Sequence, residues 1–470
     1  MLLRRLDLPY ETTKLMRFIK ELSKQPQTDL FQQDTSWNTN PQSGPVPLLS
    51  GGDRGRLKTT IIGGGAAGFF LAINLKEMVP EMEVCIVERS SKVLRKVELS
   101  GGGRCNLTNT FDDVDDLSTV YPRGHRLLKR LFKGFGHQDT CDWFERHGVS
   151  LMTQPDHRVF PASQDSHTII DCFMREAQRL GVKVVTRSER DEAPTFTAVC
   201  TGGSPKREGL KWLEDMGHEI VDPVPSLFTL NIDNKALRSL MGTAVENVTA
   251  YIPGHKYRSD GALLITHWGL SGPAILKLSS HEARTLHDNN YRLPLCINWV
   301  GVGDVRDELQ HIIYNNPQKQ LHNYRPFDLP QRLWDYLLTR MFKGDTNRTW
   351  KSLNAKEINR MANMLTNDEY QITGKGAFKE EFVTCGGIAL KSINPSTLES
   401  RHVPGMYFAG EVLDIDGITG GFNFQAAWTT AYTVACAIKE RVREKNKGDT
   451  KKITHYALHI THYFVPLHKF

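Results

Sequence analysis

Between residue 57 and about residue 216 the apolar positions fall into short segments whose period alternates between that of strand and that of helix. Residues 57–62 and Glu83-Val84-Cys85-Ile86-Val87 have the length and β-rich composition of buried strands, and residues 66–78 between them have helical character. Strand, helix and strand in that order predict a βαβ unit with parallel strands and a right-handed crossover. Residues 140–147 and 167–180 read as further helices, and Val182-Lys183-Val184-Val185 as another strand of the same sheet. The texture changes after Pro223. Shorter β-type runs at 226–232, 244–251 and 262–266, interrupted by Gly and Pro, predict a second, mainly β and barrel-like domain. Helical spacing at 302–316, 330–342 and 355–365 places a small helical insert inside it. Strand character returns at 382–385 and at Met406-Tyr407-Phe408-Ala409, and a last helix is predicted over 425–443, so the chain leaves its first sheet and comes back to it.

The predicted organisation is a flexible leader (1–56), the first part of an α/β domain (57–222), an inserted β domain (223–380) with its helical insert at about 302–365, the second part of the α/β domain (381–446), and a tail (447–470). Residues 25–56 are rich in Gln, Asn, Pro, Ser, Thr and Gly without a sustained period, and 9–24 have the spacing of a short amphipathic helix. The tail carries His455, His459, His462 and His468 with no acidic or cysteine partner, a poor metal set.

Composition narrows the class only slightly. At 470 residues with 39% hydrophobic and 24% charged residues, the chain suits a multidomain globular enzyme. No apolar run reaches the length of a membrane span, and the first residues lack the apolar core of a secretory signal, so no membrane partner is expected and the cytoplasm is the expected location. Its eight cysteines are scattered, with no Cys-x-x-Cys pair, which reads as reduced thiols and no metal centre. A formal charge of +6 suits an anionic cofactor or substrate and permits RNA without requiring it.

Candidate chemistry starts at Ile61-Ile62-Gly63-Gly64-Gly65-Ala66-Ala67-Gly68. In Gly63-x-Gly65-x-x-Gly68 one glycine makes the tight turn, the next lets backbone approach a pyrophosphate, and the third lets helix and strand pack closely. Phosphate charge then meets the free N–H groups of the following helix. Glu88, at the end of the next strand, is placed to accept both ribose hydroxyls, and its charge argues against a 2′-phosphate there. The predicted fold is therefore α/β, a Rossmann-like dinucleotide-binding domain with an inserted barrel-like domain. The turn alone leaves NAD and FAD both open.

Two further motifs are more distinctive. Leu99-Ser100-Gly101-Gly102-Gly103-Arg104-Cys105-Asn106-Leu107-Thr108-Asn109 is too glycine-rich for a strand and too patterned for a linker. Ala409-Gly410-Glu411-Val412-Leu413-Asp414-Ile415-Asp416-Gly417-Ile418-Thr419-Gly420-Gly421-Phe422-Asn423-Phe424-Gln425 gives an acidic turn, a glycine pair and a helix start. With Tyr121-Pro122-Arg123-Gly124, Thr201-Gly202-Gly203, Thr266-His267-Trp268-Gly269-Leu270-Ser271-Gly272-Pro273 and Thr384-Cys385-Gly386-Gly387-Ile388, these segments closely resemble the BaiN-like family of FAD-dependent flavoproteins over about residues 57–439. The resemblance implies that Gly63, Gly65, Ala66, Ala67, Gly68 and Glu88 hold the ADP half of FAD. It implies further that Ser100, Gly101, Gly103, Arg104, Cys105 and Asn106 line the flavin side, and that Gly202, Gly410, Glu411, Asp416, Gly420, Gly421 and Asn423 complete the cofactor site. The sequence departs from the family pattern by shortened stretches between Val185 and Cys200 and around residues 204–208.

Cys105 and His267 are the candidate catalytic residues, each as a proton donor, with packing and a tight turn as their respective plainer roles. Arg123, Arg126, Arg130 and Lys133 recur at helical spacing and read as a solvated stripe or as a docking surface for an anion. The resemblance implies an oxidoreductase that reduces carbon-carbon double bonds, with NAD(P)H as electron donor and either a small molecule or a uracil ring in rRNA as substrate. A non-catalytic flavin-binding protein is the remaining alternative.

Overall fold

The computed structural model describes residues 57–187, 194–343, 347–376 and 383–446; the expected leader helix at 9–24, the tail histidines and residues 188–193 of the first shortened stretch lie outside them. Lys58–Ile62, Ala66–Met78 and Glu83–Glu88 form the βαβ unit where the pattern placed it, with the strands paired in parallel from Lys58 against Glu83 to Ile62 against Val87. The parallel sheet runs in the order Met406–Phe408, Phe196–Val199, Lys58–Ile62, Glu83–Glu88, Lys183–Thr186. The strand from the far end of the chain therefore returns to an outer position of the first sheet. Phe422–Asn446 packs against the glycine-turn helix, and Phe70 meets Trp428 and Trp143 with ring centroids 5.2 and 4.7 Å apart. Large buried rings at that contact fix the distance between the two helices.

The second domain is a closed antiparallel barrel in the order Ala244–Tyr251, Arg258–Ile265, Gly269–Ser271, Leu230–Ile232, Asp368–Lys375, Pro294–Asn298. Closure leaves it no free edge. Arg306–Asn315, Gln331–Phe342 and Ala355–Thr366 are the helical insert, lying in the chain between the last two of those strands. The insert is tied to the barrel by Arg340, whose fork grips Asp368 at 2.8 and 2.9 Å while Trp299 Nε1 donates to the same carboxylate at 2.9 Å.

The apolar run at 226–232 predicts one strand, and the structure makes two. Leu227 takes a left-handed φ of +55° and Phe228 N–H is given to Ser279 Oγ at 2.9 Å instead of to a strand partner. Ile220–Ser226 consequently pairs with Val383–Ile388 as an antiparallel ribbon joining the domains, and Leu230–Ile232 enters the barrel. The expected boundary at 222/223 falls inside that ribbon. No helix among the described residues is long and apolar enough to cross a membrane.

Candidate cofactor site

The glycine turn has the geometry that an anionic cofactor needs. Gly63 sits at φ +112°, where a side chain would be strained and would run into the Cys200 carbonyl; a Cβ on Gly68 would strike the Gly63 carbonyl. Gly65 is different, since a Cβ there meets nothing within 4 Å. Its glycine serves open space outside the protein rather than packing inside it. The helix that follows has no side-chain N-cap and no acid in its first turn, so its N–H groups are left for a ligand. Glu88 is pinned at the mouth: Oε2 accepts from Gly64 N–H and Oε1 from Ser90 N–H, both at 2.8 Å, and each oxygen keeps capacity for a ribose hydroxyl. These residues fit the ADP half of FAD. Gly65→Val is accordingly expected to leave the fold and its thermal transition unchanged while abolishing flavin retention, as read by the spectrum after desalting. A large drop in melting temperature with flavin retained would contradict the assignment.

The second motif forms the helix Arg95–Gly103, broken at Ser100 to Gly102 where Gly101 and Gly102 take φ of +59° and +68°. Arg104 N–H and Cys105 N–H both return to the Ser100 carbonyl, at 3.1 and 3.0 Å. A Cβ on Gly102 or Gly103 would also meet nothing within 4 Å, so this segment presents bare backbone. Arg104 is held flat, its guanidinium 4.4 Å from the Phe160 ring centroid and its Nε donating to the Gly101 carbonyl at 3.0 Å. Cys105 has φ +59° and is wholly buried, and burial pushes its thiol up to about 12 against a hydrogen bond with Ser100. The sulfur is sealed and protonated, which suits packing better than proton transfer.

The two ends of the chain are stitched together here. With its amide oriented to satisfy both neighbours, Asn106 donates to the Thr108 carbonyl at 3.1 Å and accepts from Gly421 N–H at 3.0 Å. Asn109 Nδ2 donates to the Gly420 carbonyl at 3.2 Å, and Trp428 Nε1 to the Leu107 carbonyl at 3.0 Å. Buried Gln425 accepts from the hydroxyls of Thr108 and Thr140 at 2.6 and 2.9 Å. Gly410 packs against the glycine-turn helix, where a Cβ would approach Ala67 to 3.0 Å, and its N–H goes to Thr430 Oγ1 at 2.9 Å. Glu411 Oε1 accepts from Thr384 N–H at 2.8 Å, and Gly203 N–H also bonds the carboxylate. Gly202 lies beside it, with space over its α-carbon.

Asp416, Arg123 and Asn423 have tasks other than those expected of them, and His267 lies elsewhere. Asp416 is fully buried and held by the Arg123 fork, with Ser226 Oγ donating to it at 2.9 Å, so it has no surface to offer a cofactor. Arg123 is thereby removed from the supposed basic stripe; it precedes the helix His125–Leu131 and turns inward, while Arg126, Arg130 and Lys133 stay exposed. Asn423 closes its own loop, accepting from Gly417 N–H and donating to the Gly417 carbonyl, both at 2.8 Å. His267 is exposed on the tight turn between Arg258–Ile265 and Gly269–Ser271, edge-on to Trp268 at 4.1 Å, in the barrel rather than in the stitched segments. Sequence reasoning missed Lys96, which reaches Glu411, because nothing in the spacing marks it, and it quoted Thr384 within its motif without giving it a role.

Residues 57–197 match the family described as HI0933-like protein Rossmann domain, and residues 224–383 match HI0933-like protein barrel and H2TH domain. The chain belongs to the HI0933-like family. Its resemblance to BaiN-like flavoproteins and its predicted fold class both hold. This HI0933-like chain is 29% identical over 412 residues to the ribosomal RNA dihydrouridine synthase of Escherichia coli (strain K12), which spans 81% of this chain and 97% of that protein. It is 27% identical over 410 residues to the enzyme of the same name from Haemophilus influenzae, with 81% and 98% covered. It is 25% identical over 409 residues to the 3-dehydro-bile acid delta(4,6)-reductase of Clostridium scindens, again with 81% and 98% covered. Membership makes the chain an FAD-dependent oxidoreductase.

Proposed function

We propose that this HI0933-like protein is an FAD-dependent reductase that saturates a carbon-carbon double bond conjugated to a carbonyl, with NAD(P)H as the electron source. The observation that carries the reading is the joining of the two ends of the chain, where Asn109 Nδ2 donates to the Gly420 carbonyl at 3.2 Å and brings the bare backbone of the Ser100 motif to the start of the last helix. The relatives point to one class of chemistry. Dihydrouridine formation and delta(4,6) reduction, as those proteins are named, both saturate a carbon-carbon double bond, and in uracil that bond is conjugated to a carbonyl. When bound, FAD supplies the hydride for such a bond.

The chain's own residues bind, orient and protonate. The first turn of Ala66–Met78 holds the diphosphate through backbone N–H groups, and Glu88 takes the ribose. The N-terminus of Phe422–Asn446, set by Gly420 and Gly421, favours negative charge at the pyrimidine edge of the flavin. His267 supplies the proton that the carbon next to the carbonyl takes up, being the candidate donor open to solvent. The test is direct. Purified protein is expected to be yellow and to bleach anaerobically with NADH or NADPH. Colourless protein that takes up no added FAD would remove the enzymatic reading, and a flavin that neither nicotinamide bleaches would remove the donor.

A second reading narrows the substrate to uridine in rRNA. It is favoured by the two dihydrouridine synthase relatives and is compatible with the net charge of +6. Loss of rRNA dihydrouridine on deletion, with salt-dependent rRNA binding in vitro, is the expected result; unchanged dihydrouridine would leave a small unsaturated carbonyl compound as the substrate.

A further inference from the structure

Lys96 projects from the helix Arg95–Gly103 and ends 2.6 Å from Glu411 Oε2, bridging segments 315 residues apart in the chain. The two partners differ in setting, with the Lys96 side chain 56% exposed and the Glu411 side chain 18%. Glu411 is fixed from below. Its other oxygen holds Thr384 N–H at 2.8 Å, Gly203 N–H bonds it as well, and its chain neighbour Gly410 rests against Ala67 in the first turn of the glycine-turn helix. Burial pushes this carboxyl up, but the Lys96 charge and the donated hydrogen bonds outweigh it and hold the group below its usual range. An ionised carboxylate thus follows directly on the residue packed against the helix turn assigned to the diphosphate of a dinucleotide, and two anions brought together there would repel.

We infer that Lys96 is a cofactor-binding residue, the cation that lets ionised Glu411 and the diphosphate-to-ribityl stretch of FAD share one groove. The inference rests on the FAD reading above. An ammonium carries three donors, and Glu411 uses one of them, so the others are free to meet cofactor oxygens. Lys96 spans from the helix of the Ser100 motif to the Gly410 segment, the segments assigned to the flavin and to the ribityl end. Its exposure is that of a group at the protein surface, not of one needed to close the core.

The test is a set of FAD dissociation constants, from flavin fluorescence recovered on dilution of the purified holoprotein, for wild type, K96M, K96R, E411Q and K96M/E411Q. Charge-assisted hydrogen bonds of this kind set the expected loss in K96M at about tenfold or more. K96R is expected to recover most of it. In the E411Q background, where no carboxylate needs compensating, the same K96M change is expected to cost clearly less than in wild type. The thermal transition of each variant reports folding separately, and K96M should match wild type because the side chain is largely exposed. Wild-type affinity in K96M, or an equal loss in both backgrounds, would overturn the role given to Lys96. A wild-type protein that holds no FAD at all would instead remove the reading beneath it and the proposal together.

Discussion

Arg123→Met is expected to lower stability by about 3–5 kcal/mol, the cost of removing one partner from a buried ion pair. Asp416 is 0% exposed, and burial already pushes its carboxyl up against the opposing pull of Arg123 and Ser226 Oγ. Without the guanidinium, only the Ser226 hydroxyl at 2.9 Å remains to its side chain among the described residues. The fork also joins domains: Arg123 Nη2 donates to the Ser280 carbonyl at 2.9 Å, at the end of the barrel-domain helix Pro273–His281, while Ser226 belongs to the connecting ribbon. Beside it, Tyr121 OH donates to the Phe422 carbonyl at 2.8 Å and Ile418 N–H to the Val120 carbonyl at 2.9 Å. The pair therefore braces the loop that leads into the last helix, and flavin is expected to be lost together with stability. The urea midpoint and flavin release are the measurements. Arg123→Met combined with Asp416→Leu is expected to regain much of the loss, because no lone buried charge remains; if the single variant lies within about 0.5 kcal/mol of wild type, the pair has no such role.

What the sequence disclosed and what it hid divide along a physical line. Gly63, Gly65 and Gly68 were legible because a tight turn, an open approach and a helix-strand contact each demand glycine at a fixed local spacing. The alternation of periods marked four of the five strands of the parallel sheet, the change to a mainly β second domain and the helical insert, since each is a local pattern, but it left out Phe196–Val199 inside the sheet and the barrel strands Pro294–Asn298 and Asp368–Lys375. Arg123 and Asp416 lie 293 residues apart, and no local rule pairs them; the arginine's spacing to Arg126 and Arg130 pointed outward to a stripe instead. Lys96 with Glu411 is hidden in the same way. Leu227 shows a different failure: an apolar run gives hydrophobicity but not the left-handed residue that splits it between two sheets. Cys105 was conspicuous by its motif, yet only packing reveals that its sulfur is sealed.

His267→Ala is expected to slow reduction of the double bond by about 10²–10⁴-fold, the usual worth of a positioned acid or base, while bleaching of the flavin by nicotinamide is unchanged. The imidazole sits on a turn whose backbone is locked: Thr266 N–H bonds the Gly269 carbonyl at 2.8 Å, and the Trp268 carbonyl accepts from Ile232 N–H at 3.0 Å. Trp268 stands edge-on to the ring at 4.1 Å. A rigid tip and an exposed ring are what a donor needs to meet a substrate carbon that gains a proton, and imidazole is the side chain suited to proton transfer near neutral pH. Cys105→Ala makes the contrast, since a buried thiol held up at about 12 has no path to that carbon and its loss should leave the same step nearly intact. Stopped-flow traces of the two half-reactions, with an unsaturated 3-oxo steroid and with an rRNA transcript as alternative acceptors, separate the roles. An unchanged oxidative half-reaction in His267→Ala would take the proton donor away from the barrel. A loss confined to Cys105→Ala would return it to the Ser100 motif despite the burial of its sulfur.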